Sequence, residues 1–212
     1  MGKILNKEKE TFETWNRIAS VYEDKFMNLQ LYNETYDCIC NTIREPNAKL
    51  LDVGCGPGNI TKYLLSKRPD YDILGIDIAS NMIALAKKNN PSASFAVMDS
   101  REIHNLEDTY DGIIAGFCLP YLSQTESQDF IFNSYNLLNN KGLIYISFVE
   151  GNPAQSDYKT GGGGRVFFYY HKLEDLKNTL TEIGFLDICV FKVPFKTSDT
   201  EFDVHTILIA RK

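Results

Sequence analysis

The first 46 residues carry apolar side chains at helical spacing among charged ones. Six of them recur every three or four positions, which predicts an amphipathic helix with one apolar stripe, interpreted chiefly as helix packing. They are Phe12, Trp15, Ile18, Ala19, Tyr22 and Phe26. A second helical pattern runs from Leu31 to Ile43 and ends before Pro46, so we expect two helices ahead of the first strand.

From Ala48 to Val149 apolar strand segments alternate with amphipathic helical ones. The predicted strands read AKLLDV, YDILGID, ASFAVMD, YDGIIAGF and GLIYISFV, and the predicted helices read NITKYLLSK, SNMIALAKKN and TESQDFIFNSYNLLNN. Ser80 fits the N-cap of one helix, and the step from Lys141 to Gly142 fits the end of another. Such alternation predicts a doubly wound α/β fold, with a mostly parallel sheet covered by helices on both faces.

The chain after Val149 follows a different pattern. Residues 150–165 form a polar segment with four consecutive glycines, Gly161–Gly164, which we interpret as a flexible loop. The aromatic run VFFYY and the helical segment KLEDLKNTLTEI follow, and Gly184 ends that helix. Two β-like segments, FLDICVFKV and FDVHTILIARK, are separated by only a few residues. This spacing predicts an antiparallel hairpin that closes one edge of a seven-stranded sheet.

Length and composition suit one sizeable domain with a small appendage. The chain has 212 residues, of which 43% are hydrophobic, enough for a substantial core. We divide it into an N-terminal helical cap, residues 1–46, and a main domain, residues 47–212. The main domain carries an insertion on the substrate side at about residues 150–170.

The charge and the cysteine content limit the classes of partner that we expect this protein to bind. The formal net charge of −6 disfavours a nucleic-acid partner, because Lys and Arg supply most non-specific affinity for phosphates. The first residues carry no signal-peptide core, and the longest apolar run, GIIAGFCLPYL, is too short to span a bilayer. The five cysteines form no CxxC pair and have no histidine cluster nearby, which indicates reduced thiols and no metal site. We therefore expect a cytoplasmic protein that does not bind membranes.

The segment KLLDVGCGPGN, residues 49–59, combines a buried strand with a glycine turn at the start of a helix. This arrangement presents backbone N–H groups and a helix N-terminus to a ligand at the carboxyl end of the strand. A dinucleotide fingerprint needs GxGxxG, but Asn59 stands at the third glycine position. A phosphate-binding P-loop is excluded more firmly, because no Gly-Lys-Ser/Thr follows at the required distance. The pattern is DxGxGxG, starting at Asp52.

Two further strands end in acidic residues at the same predicted rim. Asp77 lies at the tip of the second strand, where a carboxylate can accept hydrogen bonds from both hydroxyls of a ribose. Asp99 lies at the tip of the third strand. With these acids in place, the chain resembles the class I S-adenosylmethionine-dependent methyltransferases from about Ala48 to its C-terminus. The segments that carry the resemblance are LLDVGCGPGN, LGIDIASNMIALA, AVMDS, YDGIIAGFCLPYL and YYHKLEDLKNTLTEIGF.

The resemblance implies S-adenosylmethionine as cofactor and assigns it a set of binding residues. It implies that the glycine motif cradles the methionine and ribose portions, that Asp77 binds the ribose hydroxyls, and that Asp99 and Ser100 lie beside the adenine. It also implies a backbone carbonyl of Phe117 near the cofactor amino group, and an aromatic ring of Tyr22 closing over the ligand. The full set is Tyr22, Asp52, Gly54, Cys55, Gly56, Asp77, Ile78, Asp99, Ser100 and Phe117.

Methyl transfer from a sulfonium is an in-line displacement, so the protein mainly aligns the reactants and excludes water. A general base is needed only when the acceptor arrives protonated, and the candidates for that role are His171, Tyr121 and Tyr22. A lone histidine at the start of a helix is more often structural. We expect the acceptor wall to include the N-terminal helices, the FCLPYL loop and residues 149–171.

The nature of the acceptor is the least determined point. Enzymes that methylate exocyclic amines of nucleobases or glutamine carry Asn/Asp/Ser-Pro-Pro-aromatic where this chain has Cys118-Leu119-Pro120-Tyr121. That departure, together with the acidic charge, favours a small-molecule acceptor. The alternatives are a methyltransferase acting on protein or tRNA, a non-catalytic protein that binds S-adenosylmethionine and, less favoured, an NAD-dependent oxidoreductase. The sequence carries no signal for the oligomeric state.

Overall fold

The structure, a computed structural model, describes residues 2–161, 163–197 and 202–212. Three helices come first: α1 (Gly2–Arg17), α2 (Ala19–Phe26) and α3 (Asn33–Thr42). The prediction of one continuous helix through Phe26 was wrong, because the backbone leaves helical geometry at Ile18, with φ −97° and ψ 13°. No glycine or proline marks this break in the sequence. The break turns α2 so that Ala19 packs on Ala79 and Met82.

Nine strands follow. They are β1 (Lys49–Val53), β2 (Asp72–Asp77), β3 (Ser94–Val97), β4 (Tyr110–Ala115), β5 (Leu138–Val149), β6 (Asp157–Gly161), β7 (Gly164–Phe168), β8 (Leu186–Lys196) and β9 (Phe202–Arg211). Seven form one sheet in the order β3-β2-β1-β4-β5-β9-β8. Strands β1 to β5 run parallel, whereas β9 pairs antiparallel with both β5 and β8. The seven-stranded sheet and its C-terminal hairpin confirm the predicted fold.

Four more helices, α4 (Asn59–Lys67), α5 (Ser80–Asn89), α6 (Gln124–Leu137) and α7 (Leu173–Ile183), complete the layers. Neighbouring residues of β1 point to opposite faces, so Leu51 packs in a core with α6 and α7 while Leu50 packs in a second core with α3 and α4. This two-sided burial explains the near-continuous apolar runs of the central strands. None of the described helices is both long and apolar enough to cross a membrane.

Two predicted helix boundaries were wrong. Helix α6 ends at Leu137 rather than near Lys141, because the chain enters β5 at once, with Leu138 paired to Tyr110. The N-terminus of α5 has Ala79 in the cap position, and Ser80 makes no capping hydrogen bond. The Ala79 N–H is bound instead by the side chain of Asp77, at 2.8 Å. The first error arises from strand pairing across the sheet, and the second from a hydrogen bond within the turn between β2 and α5.

The glycine-rich insertion forms structure that the sequence pattern did not predict. Strands β6 and β7 pair as an antiparallel hairpin with Gly161 opposite Gly164, so the interpretation of this segment as a flexible loop was wrong; Gly162 lies outside the described residues. The hairpin packs on α1. Thr14 Oγ1 donates to the Arg165 carbonyl at 3.0 Å, and the Phe167 N–H donates to Thr11 Oγ1 at 3.0 Å. Glycines at the turn permit the left-handed backbone that so short a connection requires.

Candidate functional site

The sheet changes strand order between β1 and β4, and two clefts open there at the carboxyl ends of the strands. This is the position where open α/β sheets bind ligands. The first cleft is open to solvent on one side and has a cavity volume of about 110 Å³. Its lining residues are Thr11, Phe12, Trp15, Tyr22, Gly54, Gly56, Asp77, Ile78, Met82, Met98, Asp99, Ser100, Arg101, Gly116, Phe117, Cys118 and Tyr121.

The glycine turn forms the floor where both clefts meet. Gly54, Gly56 and Gly58 have φ values of +67°, +53° and +83°, a region that residues with a Cβ adopt only with strain. A Cβ on Gly56 would point into the gap facing the ring of Tyr22, whose Cε1 atom would lie 3.7 Å away. The motif therefore serves two needs: it permits the backbone conformation, and it leaves the gap between the turn and Tyr22 open.

Asp77 links the tip of β2 to the glycine turn. Its two carboxylate oxygens accept hydrogen bonds from the backbone N–H groups of Gly56, at 3.0 Å, and Ala79, at 2.8 Å. Burial raises the pKa of Asp77 above its ordinary value, although these two hydrogen bonds oppose the shift. Each carboxylate oxygen retains a second lone pair for a ligand, because an ionised carboxylate has about four acceptor sites.

Asp52 lies beneath the turn and is fully buried. Its Oδ2 atom accepts a hydrogen bond from Thr61 Oγ1 at 2.7 Å, whereas its Oδ1 atom has no partner among the described residues. Burial raises the pKa of Asp52 to about 6 against the opposing hydrogen bonds from Thr61. An unpaired buried carboxylate oxygen is costly, so this atom marks a position where the protein alone leaves a polar group unsatisfied.

Asp99 lies at the rim of the first cleft and is already paired with a cation. It caps the 3-10 helix Ser100–Asn105, where its Oδ1 accepts from the Arg101 N–H at 3.0 Å, and the same oxygen lies 3.0 Å from Arg101 Nη1. Arg101 also contacts Glu126 at 2.6 Å and Glu8 at 3.7 Å. Arg101 therefore links α1 and α6 to Asp99, which follows the end of β3.

The roof of the first cleft is aromatic. Trp15 on α1 makes edge-to-face contacts with Tyr22 and Tyr121, with ring centroids 5.5 Å apart in both pairs. The sequence-based interpretation of Phe12 and Trp15 as helix packing is incomplete, because both side chains line the cleft. The indole N–H of Trp15 is buried and has no partner among the described residues. Burial raises the pKa of Tyr22 to about 12, and the charges of Asp77 and Asp52 add to the shift, so Tyr22 stays a neutral phenol.

Phe117 separates the two clefts under backbone strain. Its φ is +57°, which is uncommon for a residue with a bulky side chain. The conformation is held by a hydrogen bond from the Phe117 N–H to Ser147 Oγ on β5, at 2.8 Å. Such strained residues cluster at functional sites, so this outlier singles out the end of β4 independently of the glycine turn.

The second cleft lies on the other side of Phe117 and shares four residues with the first. Its lining residues are Tyr22, Phe26, Leu29, Tyr32, Tyr36, Gly54, Cys55, Asn59, Ile60, Gly116, Phe117 and His205. His205, on β9, contacts the Tyr32 hydroxyl through Nδ1 at 2.6 Å. Cys55 therefore faces this cleft rather than the first one.

Comparisons with known proteins agree with this geometry. A family model described as a methyltransferase domain matches residues 50–142. Carboxy-S-adenosyl-L-methionine synthase from Campylobacter jejuni is 26% identical over 190 residues, which cover 81% of this chain and 80% of that protein. The chain therefore contains a methyltransferase domain of the S-adenosylmethionine-dependent class, at residues 50–142. S-adenosylmethionine is therefore the cofactor of the methyltransferase.

Two further comparisons bear on the methyltransferase. A putative methyltransferase from Invertebrate iridescent virus 6 is 35% identical over 100 residues, but the match spans only 37% of the viral protein and 47% of this chain. The crystal structure of magnesium protoporphyrin IX methyltransferase from Synechocystis, with bound S-adenosylhomocysteine, covers 99% of both chains with a TM-score of 0.72 and 17% identity. That likeness shows a common fold.

The first cleft of the methyltransferase fits its cofactor on observations internal to the structure. The buried polar atoms without a partner in the described part of the chain include Nε1 of Trp15, which lines the cleft, and Oδ1 of Asp52, beneath the glycine turn. The carboxylate of Asp77 faces the cleft beside a glycine turn that leaves room for close backbone approach. No basic side chain except Arg101 lines the cleft, which suits a ligand that carries a sulfonium and no phosphate.

Of the three candidate bases in the methyltransferase, the clefts contain Tyr22 and Tyr121 but not His171. His171 is buried, and its Nε2 atom lies 2.9 Å from the Leu119 carbonyl, where it supports the loop after β4. Burial lowers the pKa of His171 and raises that of Tyr121. A tyrosine with a raised pKa donates hydrogen bonds and does not act as a base near neutral pH. No group of His, Cys, Asp and Glu side chains in the described residues is arranged to hold a metal ion.

Proposed function

We propose that this methyltransferase transfers the methyl group of S-adenosylmethionine to a small-molecule acceptor. The observation that carries the proposal is Asp77, a cleft-lining carboxylate fixed by two backbone N–H groups at the tip of β2 and adjacent to the glycine turn. A carboxylate so oriented suits the two hydroxyls of a ribose. Bound S-adenosylmethionine supplies a methyl group activated by its sulfonium, so the protein needs chiefly to orient and enclose the reactants.

The remaining roles follow from position in the first cleft. The floor formed by Gly54 and Gly56 allows close approach of the methionine portion, with Cys55 supporting the turn from the other side. Asp52 provides a negative charge below it. At the other end of the first cleft, the adenine would lie beside Ile78, Asp99 and Ser100. The Phe117 carbonyl and the Tyr22 ring would enclose the ligand.

A small acceptor is supported by how closely the site is covered. Helix α1 lines the first cleft with Thr11, Phe12 and Trp15, and the β6–β7 hairpin packs on α1, to which an ion pair between Arg165 and Glu10 joins it, at 2.5 Å. A nucleic-acid acceptor would require an open groove with unpaired basic side chains, whereas Arg101, the basic residue that lines the first cleft in the described part of the chain, is paired with three carboxylates. We assign residues 1–46 as a helical cap on the main domain of residues 47–212, with the hairpin as its substrate-side insertion.

A second candidate comes from the name of the Campylobacter relatives, which make carboxy-S-adenosyl-L-methionine. Carboxylating the cofactor requires a co-substrate that carries a carboxylate, for which an unpaired Arg or Lys is the natural partner. Neither cleft is lined by an unpaired basic side chain in the described part of the chain. That charge balance favours methyl transfer.

The experiment that tests the proposal separates binding from turnover. Thermal unfolding is measured with S-adenosylmethionine, S-adenosylhomocysteine and NADH, and we expect stabilisation by the first two only. Mass spectrometry after incubation with cofactor deuterated at its methyl group then follows the label into a library of small acceptors, into tRNA and into protein. Label confined to tRNA or protein contradicts the small-molecule acceptor, and a new carboxylated cofactor supports the second candidate.

The buried Asp52 predicts a pH-dependent cofactor affinity. The charged group that acts on Asp52 is the carboxylate of Asp77, which raises the pKa of Asp52. The neutral phenols of Tyr22 and Tyr36 and the Cys55 thiol also interact with Asp52. The cationic ligand favours the carboxylate form, so affinity falls as Asp52 is protonated. With a pKa of about 6, we expect affinity to fall about fourfold between pH 7.5 and pH 5.5.

Calorimetry at both pH values checks this expectation, with Asp52→Asn predicted to remove most of the dependence and Asp108→Asn, in an exposed ion pair, to leave it intact. The free energy of unfolding without ligand changes with pH in the opposite direction to the affinity. Because the folded-state pKa of Asp52 is raised, its contribution to stability is fully present below the unfolded pKa and is lost as pH rises through about 6. A pH-independent affinity in the wild type contradicts the role of Asp52.

A further inference from the structure

The second cleft adjoins the first at a shared wall, and this continuity is the starting observation. Gly54, Gly116, Tyr22 and Phe117 line both clefts. A group bound in the first cleft can therefore meet a molecule in the second at the Phe117 edge. The second cleft is built from α2, α3 and the connection between them, together with the glycine turn, the start of α4, the chain just after β4 and His205 near the start of β9. Of the FCLPYL loop that the sequence suggested as part of the acceptor wall, Phe117 lines this cleft and Tyr121 does not.

The lining of the second cleft is flat and uncharged. Five of its residues are aromatic: Tyr22, Phe26, Tyr32, Tyr36 and Phe117. Among the described residues, none that lines the cleft is Asp, Glu, Lys or Arg. Because an unpaired charge in such surroundings carries a large desolvation penalty, the cleft selects an uncharged molecule, and its aromatic walls select a planar one.

The polar feature of this cleft is a buried hydrogen-bonded pair. The Tyr32 hydroxyl lies 2.6 Å from His205 Nδ1, and the His205 ring is stacked on Phe195 with centroids 4.6 Å apart and an interplanar angle of 11°. Phe117 contacts the same imidazole, at 4.7 Å between centroids. These contacts fix the ring and aim Nδ1 at Tyr32, so that the phenol can donate its proton to the imidazole and offer its oxygen lone pairs to the cleft.

The charged groups around His205 are few, and most are paired. Asp203 lies two residues earlier on β9, while Glu150, at the end of β5, bonds Lys192 of β8 at 3.0 Å and accepts from Thr206 Oγ1 at 3.2 Å. From the side of α3 the pair meets only tyrosines, whose pKa values burial raises. Burial lowers the pKa of His205 to about 4 despite the opposing charge of Asp203. The imidazole is thus neutral and free to accept a hydrogen bond at neutral pH.

We propose that the second cleft is the methyl-acceptor site, that it takes an uncharged planar molecule bearing a hydroxyl of phenol or enol type, and that Tyr32 binds that hydroxyl while His205 positions Tyr32. This inference rests on the proposed function. The acceptor O–H donates to Tyr32 Oη, which in turn donates to His205 Nδ1. The arrangement directs a lone pair of the acceptor oxygen toward the first cleft past Phe117.

The proton balance of the transfer uses the same pair. The acceptor oxygen forms its bond to the methyl carbon as the carbon–sulfur bond of the cofactor breaks, and the bonding electrons leave on sulfur. The acceptor proton moves to Tyr32 Oη and the Tyr32 proton moves to His205 Nδ1, leaving an ether, a thioether and an imidazolium. An oxygen that carries both a new methyl group and its proton is a far stronger acid than imidazolium, so even a histidine with a lowered pKa accepts this proton.

Binding of probe molecules tests the inference without requiring turnover. The protein is saturated with S-adenosylhomocysteine, and 2-naphthol, 2-naphthoate and 2-naphthylmethylammonium are titrated while probe fluorescence is followed. We expect 2-naphthol to bind at least about tenfold more tightly than either charged probe. Tyr32→Phe and His205→Gln should each weaken 2-naphthol binding about fivefold or more, while the affinity for S-adenosylhomocysteine, measured by calorimetry, stays within twofold.

Matched variants guard against a loss of folding. Tyr135→Phe and His104→Gln, both away from the clefts, should not change the affinity for 2-naphthol. Leu29 lines the second cleft and does not belong to the polar pair; Leu29→Trp adds bulk there and should abolish 2-naphthol binding with cofactor binding retained. Tighter binding of the anion or the ammonium, or an unchanged 2-naphthol affinity in all three cleft variants, overturns the inference. Failure of the wild type to bind S-adenosylhomocysteine contradicts the proposed function instead.

Discussion

Replacing Asp77 by Asn is expected to weaken S-adenosylmethionine binding about 100-fold. The Asp77 carboxylate accepts backbone N–H groups from Gly56 and Ala79 through different oxygens, so an amide that keeps one oxygen and adds an NH₂ group must confront one of these donors. The substitution also removes a charge-assisted acceptor for ribose hydroxyls, worth about 1.5–3 kcal/mol per hydrogen bond. Together these losses reach about 3 kcal/mol, or about 100-fold in Kd.

Isothermal calorimetry with S-adenosylmethionine and S-adenosylhomocysteine measures this effect. Asp72→Asn, at the exposed start of the same strand, is the matched control and should bind both ligands like the wild type. A second variant, Asp77→Ala, removes the ribose contact without adding a donor, and it is expected to weaken binding about tenfold or more. Equal affinity in the wild type and in both Asp77 variants removes this residue from the cofactor site.

Replacing Arg101 by Met is expected to lower the thermal midpoint by about 4–12 °C. The guanidinium contacts Asp99, Glu126 and Glu8, and all four side chains are only 20–25% exposed. Removing one partner of a buried pair destabilises by about 3–5 kcal/mol, which partial solvent screening reduces to about 2–3 kcal/mol. For a chain of this size each kcal/mol shifts the midpoint by about 2–4 °C.

Calorimetric unfolding at neutral pH measures the shift. Lys177→Met breaks an exposed pair with Glu174 and should change stability by no more than about 0.5 kcal/mol. Burial raises the pKa of Glu126, but hydrogen bonds from Arg101 and Ser123 outweigh it and hold the pKa below its ordinary value. The difference between Arg101→Met and the wild type should therefore shrink as the pH falls and Glu126 is protonated. A midpoint unchanged at neutral pH shows that the network adds nothing to stability.

The order of strands and helices could be predicted because the local spacing of apolar residues determines it. Residues buried on both faces, such as Leu50 and Leu51, produce the continuous apolar runs of a parallel sheet, and Gly184 ended α7 as its φ of +115° requires. The break at Ile18 and the β6–β7 hairpin could not be predicted in the same way. Both depend on packing between segments far apart in sequence, for example Thr14 with Arg165, 151 residues later.

The residues of the candidate site also divide into those that the sequence predicted and those that it did not. The structure brings Asp77, Asp99, Ile78 and Ser100 to one cleft, as expected when parallel strands end at a common edge. The second cleft had no sequence signal, because Tyr32 and His205 are 173 residues apart. Trp15 was another omission: a residue on the apolar stripe of a helix looks the same in sequence whether it packs on protein or faces a cleft.

The clasp between α1 and the β6–β7 hairpin has a consequence for ligand exchange. Thr11, Phe12 and Trp15 belong to the roof of the first cleft, and the hairpin fastens this part of α1 through the Thr11, Thr14 and Glu10 contacts. Movement of this roof away from a bound ligand therefore either breaks the contacts to the hairpin or carries the hairpin along with α1.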